Sequence, residues 1–102
     1  MLTSKQRAVL RAMAAKEDTI IHIGKGDLTD NIVTQVADAL NARELVKGKV
    51  LETSTLSPRE ACDTLCERCR AQAVQVIGSK FVLYKRNEKN PKIELPKSRK
   101  AV

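Results

Sequence analysis

The sequence predicts a single α/β domain in which a four-stranded mixed sheet packs against helices. Its 102 residues suit one domain. Short β-branched apolar segments alternate with longer segments of helical period, which favours crossover connections and a partly parallel sheet. The last two apolar segments flank a glycine-containing turn, a pattern typical of an antiparallel hairpin. The predicted order is therefore α-β-α-β-α-β-β.

The first half of the chain is predicted to contain two helices and one strand. The first helix is expected over residues 3–16, where Thr3 or Ser4 can cap its start. Residues 19–23 are apolar and largely β-branched and suit a buried strand. The second helix is expected over residues 28–42. The apolar positions of the first helix, spaced near a period of 3.6, are Leu2, Val9, Leu10 and Met13.

The second half is predicted to contain one helix and three strands. Ser57, Pro58 and Glu60 stand at the cap, first and third positions that favour a helix start. This third helix is expected to run to about residue 72. The three strands are expected at residues 44–52, 74–77 and 81–85, with the hairpin turn at residues 78–80.

The net charge of +7 lies at the two ends of the chain. Residues 1–16 carry four basic side chains and no acid, and residues 85–100 carry seven against two acids. Clustered cations favour a polyanion partner, although a solvated surface that maintains solubility is the alternative. Phe81 and Tyr84 are the only aromatic residues, which argues against an RNA reader built on several stacking platforms.

Several classes of protein are not expected. The sequence has no apolar run long enough to span a membrane and no apolar stretch after its cationic N-terminus to form a signal peptide. Three cysteines without such a signal favour a reducing cytoplasm. The single histidine, His22, has no evident nucleophile partner, so neither an enzyme nor a small-molecule substrate is expected.

The turn at residues 24–27 is the strongest candidate for a binding site. Its Gly-Lys-Gly-Asp sequence is predicted to join a strand to a helix N-terminus, where free N–H groups favour an anion. Glycines let a phosphate approach the backbone and permit positive φ. An ordinary strand-to-helix turn is the alternative. The spacing fits neither a nucleotide-binding P-loop nor a dinucleotide fingerprint.

Cys62, Cys66 and Cys69 recur on one side of the predicted third helix. A zinc site normally takes four ligands from at least two segments, whereas free cysteine packs as a small apolar residue. We therefore expect packing, and neither a metal nor another cofactor. A metal- or thiol-dependent regulator is the alternative. Cys66, at the edge of the apolar stripe, is expected to react first with thiol reagents.

Several short motifs, in order along residues 1–96, resemble the YhbY-like CRM domain family. The loop and helix start at residues 23–31 carries the resemblance most specifically. The other matching segments are residues 2–7, 43–47, 74–78, 82–86 and 93–96. Two positions differ from the family pattern. The second glycine of the usual Gly-x-x-Gly loop is replaced by Asp27, and Gly48 in the second strand suggests a bulge or a local weakening.

The resemblance implies a compact α/β domain that binds structured RNA. Bacterial members associate with precursors of the large ribosomal subunit, plant members act in organelle intron splicing, and the topology is related to the C-terminal domain of bacterial translation initiation factor three. We expect a CRM-like domain over residues 1–86, a flexible basic tail over residues 87–102, and a monomer. A module recruited to the ribosome by a protein partner is the alternative. The expected RNA-binding residues are Gly24, Lys25, Gly26, Asp27, Leu28, Thr29, Arg7, Arg11, Lys47, Lys49 and Lys80.

Overall fold

Three helices and four strands follow one another in the order predicted from the sequence. The computed structural model describes residues 2–26, 28–87 and 93. The predicted fold class is confirmed. The elements are α1 (Ser4–Ala14), β1 (Ile21–Ile23), α2 (Asp30–Arg43), β2 (Leu45–Val50), α3 (Pro58–Cys69), β3 (Gln72–Ile77) and β4 (Lys80–Tyr84).

The four strands form one mixed sheet in the order β1-β2-β4-β3. β1 pairs with β2 in parallel, and β4 lies between β2 and β3 and is antiparallel to both. The β3–β4 hairpin turns through Gly78 and Ser79. Gly78 has φ 58°, which the first position of a type II′ turn requires.

Helices cover both faces of the sheet. α2 and α3 pack on one face, where Val36, Leu65 and Phe81 belong to the larger apolar cluster. α1 packs on the other face, where Leu10 contacts a smaller cluster that includes Leu45. The alternation of side chains along each strand assigns the two clusters to opposite faces. α1 therefore covers the half of its face near the start of β2.

α1 begins with a reciprocal cap. The Thr3 hydroxyl accepts a hydrogen bond from the Gln6 N–H at 3.1 Å, and the Gln6 side chain accepts one from the Thr3 N–H at 3.0 Å. Its buried positions are Leu10 and Ala14. Met13, which the period of 3.6 groups with Leu10, is not buried, because it is 37% exposed. The small Ala14 side chain, four residues after Leu10, faces the sheet instead.

The bounds of α2 and α3 differ from the expected ones. α2 begins at Asp30 rather than residue 28, because Thr29 forms the cap by accepting a hydrogen bond from the Ile32 N–H at 3.2 Å. α3 ends at Cys69 rather than residue 72. Arg70 takes the left-handed conformation (φ 56°, ψ 40°), and the Ala71 N–H donates to the Cys66 carbonyl as in a Schellman ending.

Of the two alternatives expected at Gly48, a bulge or a local weakening, the bulge is wrong. Gly48 pairs with Phe81 in a regular antiparallel register. A Cβ atom at Gly48 would lie 2.3 Å from the Cζ atom of Phe81, so the glycine makes room for the ring. The irregularity in the sheet lies between Ala73 and Gln75 of β3.

A buried carboxylate holds residues that follow the sheet. Glu44, between α2 and β2, is fully buried, and its Oε2 accepts a hydrogen bond from the Asn87 N–H at 2.6 Å. Its Oε1 accepts one from the Ile93 N–H at 2.7 Å. Of the expected tail, residues 87–102, these two residues are described, and the others lie outside the described part of the chain.

Candidate nucleic-acid interface

The glycine-containing loop lies at the carboxyl end of β1. The Leu51 N–H donates to the Ile23 carbonyl at 2.8 Å, so the start of this loop is held against the end of β2. A Cβ atom at Gly24 would lie 3.2 Å from the Thr53 hydroxyl, a tight contact that the glycine avoids. Lys25 is exposed at the tip. The loop thus presents a cation beside the segment that connects β2 to α3.

The glycines of this loop act through their small size. Among the described glycines, positive φ occurs at Gly78, so Gly24 and Gly26 do not take the left-handed conformation that the sequence allowed. A Cβ atom at Gly26 would lie 3.3 Å from the Thr29 Cγ2 atom. Asp27, the fourth residue of the predicted turn, lies outside the described residues.

The first turn of α2 contacts side chains at the end of α3. Asp30, in its first turn, lies 3.6 Å from the guanidinium of Arg68 at the end of α3. The Cys69 thiol donates to the Val33 carbonyl at 3.8 Å. The preceding Leu28 is half-buried and packs against the larger core cluster. Because the cap and an acidic side chain already occupy this helix start, it is a poorer anion site than the sequence suggested.

Three of the predicted lysines lie at one end of the sheet. Lys25 follows β1, Lys49 lies near the end of β2, and Lys80 begins β4 beside the hairpin turn. Val50 and Ser79 tie these elements together, because the Val50 N–H donates to the Ser79 carbonyl at 2.8 Å. Within the described part of the chain, none of the three lysines forms an ion pair with a carboxylate. Their charges therefore add at this end.

Lys49 and Lys80 belong to a row of four side chains that crosses the whole sheet. His22 pairs with Lys49, Lys49 with Lys80, and Lys80 with Ile77. We call these four residues the open row. They lie on the α1 side of the sheet, beyond the half that α1 covers. His22 and Lys80 are exposed, Lys49 is half-buried, and the Ile77 side chain is 63% exposed.

The sequence prediction omitted two members of the open row, His22 and Ile77. The exposure of His22 between two buried isoleucines follows from the alternation of β1. That signal was present in the sequence. The position of His22 in line with Lys49 and Lys80 could not be read from the sequence, because it depends on the order of the strands in the sheet.

The remaining predicted cations lie on the same side of the sheet. Arg11 of α1 is exposed, whereas Arg7 is half-buried. The Arg7 Nε atom is buried and has no hydrogen-bond partner in the described structure. Lys47 donates from Nζ to the Ala14 carbonyl at 3.3 Å, at the end of α1. The Lys47 amine therefore stabilises the end of α1 and its packing on the sheet.

The cysteines of α3 pack in the core. Cys62 and Cys69 are buried and Cys66 is half-buried, and all three are free thiols. A hydrogen bond from the Cys62 thiol lowers the pKa of Cys66, and burial opposes this effect. The same hydrogen bond, followed by burial, raises the pKa of Cys62. Among the described residues there is no cluster of three or more histidine, cysteine or acidic side chains that could hold a metal ion.

Comparison with known proteins decides the family. Residues 2–85 match the CRS1 / YhbY (CRM) domain, which is most of the chain. The chain belongs to the CRM domain family. Members similar to it include the "Probable RNA-binding protein YqeI" of Bacillus subtilis, 43% identical over 94% of this chain and 100% of that protein. An "RNA-binding protein" of Haemophilus influenzae is 30% identical over 94% of this chain and 96% of its own length.

A solved structure supports the same fold for this CRM domain. The solution structure of the Staphylococcus aureus protein SAV1595, described as a candidate RNA-binding protein, superposes with a TM-score of 0.78. The two chains are 44% identical, and the match covers 94% of this chain and 100% of the other. Among the described helices, none combines the length and apolarity that a membrane span requires.

Proposed function

We propose that this CRM domain is a non-enzymatic, cytoplasmic RNA-binding protein that associates with ribosomal RNA or large-subunit precursors during ribosome assembly. The observation that carries the proposal is the group formed by Lys25, Lys49 and Lys80 at one end of the sheet, in a family whose similar members are named as RNA-binding proteins. The resemblance to free-standing bacterial CRM proteins supports ribosomal RNA as the partner.

Phosphates are the groups that this end of the sheet is suited to bind. Gly24 and Gly26 carry no side chain that would keep a phosphate from the backbone N–H groups of the loop. Lys25 adds a mobile charge at the tip, and Lys49 and Lys80 extend the cationic surface across two strands. Contacts of this kind orient a nucleic acid without reading its sequence. RNA shape then supplies most of the selectivity.

The test is binding of fluorescent ribosomal RNA fragments, random RNA and duplex DNA across a salt series. We expect preference for ribosomal RNA and a linear fall of log affinity with log salt, because each phosphate contact releases a counterion. Weak, salt-independent binding to all three would overturn the proposal and favour recruitment through a protein partner.

Lys25→Glu tests the loop, with Arg70→Glu as its matched control. Both changes reverse one exposed charge, but Arg70 lies before β3, at the opposite end of the sheet. We expect Lys25→Glu to weaken RNA binding about ten-fold or more, and Arg70→Glu to change it little. Equal effects of the two variants would show that net charge, and not the loop, governs binding.

A further inference from the structure

We propose that the open row, which comprises His22, Lys49, Lys80 and Ile77, is a platform for two or three unpaired nucleotides of the RNA. This inference rests on the proposed RNA-binding function and deepens it. It adds His22 and Ile77 to the interface and assigns a second kind of RNA feature, an unpaired segment, beside the phosphate contacts of the loop.

The arrangement of the row supports this role. One residue comes from each strand, in the order His22, Lys49, Lys80, Ile77. With neighbouring strands about 4.8 Å apart, the row spans roughly 14 Å. RNA-binding domains that use the face of a four-stranded sheet stack about two or three bases on aromatic side chains there. In the open row His22 supplies one stacking ring, and Lys49 and Lys80 face the phosphates of the neighbouring nucleotides. The width of this sheet is therefore sufficient for a short unpaired segment.

The chemistry of the row matches a nucleotide strand. Lys49 and Lys80 occupy the two central strands and have no carboxylate partner within the described residues. They can neutralise two phosphates. At the outer ends, the imidazole of His22 can stack on a base, and Ile77 offers an apolar surface. Ile77 is 63% exposed, pairs with Lys80, and packs against neither core cluster of the described residues.

Among the described residues, no helix covers this half of the sheet face. The buried side chains of α1, Leu10 and Ala14, contact the cluster that contains Leu45 and Tyr84, at the start of β2 and the end of β4. The open row lies at the other end of these strands, near the hairpin turn and Lys25. An RNA strand on the row would therefore continue from the phosphate site at the loop.

Two RNAs with equal numbers of phosphates distinguish this platform from general charge attraction. One is a blunt duplex, and the other is a shorter duplex with an unpaired eight-nucleotide extension. The variant is His22→Ala/Ile77→Ala, which leaves all lysines in place. Its control is Thr64→Ala, an exposed position on α3, which packs against the opposite face of the sheet.

We expect the wild-type protein to prefer the RNA with the extension, and the double variant to bind that RNA about ten-fold more weakly while binding the duplex unchanged. Loss of one stacked base corresponds to about this factor. Thr64→Ala should behave as wild type. Thermal unfolding checks that the double variant is folded, and both side chains are exposed enough to be removed without loss of core packing.

Other outcomes would overturn the inference in distinguishable ways. If the wild-type protein binds RNA but does not prefer the extension, or if the double variant keeps that preference, the platform is wrong and the proposed function stands. If the wild-type protein binds neither RNA, the proposed function fails as well. Photo-crosslinks from thiouridine in the extension should fall in peptides that contain His22 or Ile77.

Discussion

The contact between Gly48 and Phe81 joins the two central strands of the sheet. Phe81 is fully buried, and its ring lies over the backbone of Gly48 in the space that a side chain would otherwise fill. An aromatic ring that covers a glycine on the neighbouring strand restores the packing that the glycine lacks. The pair thus stabilises the sheet at a position where glycine alone would weaken it.

Gly48→Ala should destabilise the protein by about 1–3 kcal/mol, because the new methyl group forces a buried ring to move. Urea unfolding measures the change. Replacing Phe81 by leucine in the same chain should make the combined loss smaller than the sum of the two single losses. Simple additivity would show that the two positions are not coupled.

Cys66 should be the first thiol that an alkylating reagent modifies. Its pKa is lowered by the hydrogen bond from Cys62, whereas burial raises the pKa of Cys69. Since the thiolate is the reactive form, the rate at Cys66 should reach its plateau at a lower pH than at an ordinary thiol. Mass spectrometry after brief iodoacetamide treatment of the folded protein identifies the modified site.

Removing the donor tests the cause of this reactivity. In Cys62→Ala the midpoint of the pH–rate profile at Cys66 should move upward, because the thiolate loses its hydrogen bond. Cys69→Ala serves as the control and should leave the midpoint nearly unchanged. Faster modification of Cys62 or Cys69 in the native protein would contradict the prediction.

Helix ends are the elements that sequence patterns predicted least well. The starts of α1 and α3 were predictable because Thr3 and Ser57 stand before a glutamine or glutamate at the third helical position. The end of α3 was not, because Arg70 takes a conformation that usually belongs to glycine or asparagine. The order of the elements could be predicted because the apolar periods change clearly between helix and strand.

Arg70→Gly should stabilise the protein by about 0.5–1 kcal/mol. The left-handed conformation costs a side-chain-bearing residue about 1–2 kcal/mol, and the greater freedom of glycine in the unfolded chain offsets part of the gain. For a domain of this size the melting temperature should rise by roughly 2–6 °C. Arg70→Ala keeps the Cβ atom and should give no such increase. Equal melting temperatures for the two variants would contradict this explanation.

The candidate site could be predicted only in part, because it depends on pairings between distant segments. The Gly-Lys-Gly loop was visible as a motif, and Lys49 and Lys80 were visible as charges. Their alignment with His22 depends on two pairings: β1 lies parallel to β2, which places His22 beside Lys49, and β4 inserts between β2 and β3, which places Lys80 beside Lys49. The hydrogen bond from the Lys47 amine to the Ala14 carbonyl likewise depends on how α1 lies on the sheet.

At the scale of the whole molecule, Glu44 connects three parts of the chain. It ends α2 with φ 65°, its carbonyl accepts a hydrogen bond from the Lys85 N–H at 2.9 Å, and its carboxylate binds the N–H groups of Asn87 and Ile93. Ile93 in turn packs against the α1-side cluster. One buried carboxylate therefore helps to attach Asn87 and Ile93, both beyond β4, to the body of the domain.

Glu44→Gln should destabilise the protein by about 1.5–3 kcal/mol, because one charged hydrogen bond is lost and an amide N–H then faces a backbone N–H. Urea unfolding measures this loss, and tryptic cleavage after Arg86 should become faster. Glu52→Gln, at an exposed position, should change stability by less than about 0.5 kcal/mol. Similar losses in both variants would contradict a special role for Glu44.

The irregularity in β3 also affects whether the sheet of one molecule can pair with a strand of another. β3 is an edge strand, and the register shift between Ala73 and Gln75 interrupts its row of backbone hydrogen-bonding groups. The opposite edge is β1, which has three residues. Short or interrupted edges resist the addition of a strand from another molecule. Although part of one sheet face is exposed in the described structure, the short and interrupted edges of the sheet resist amyloid-like stacking.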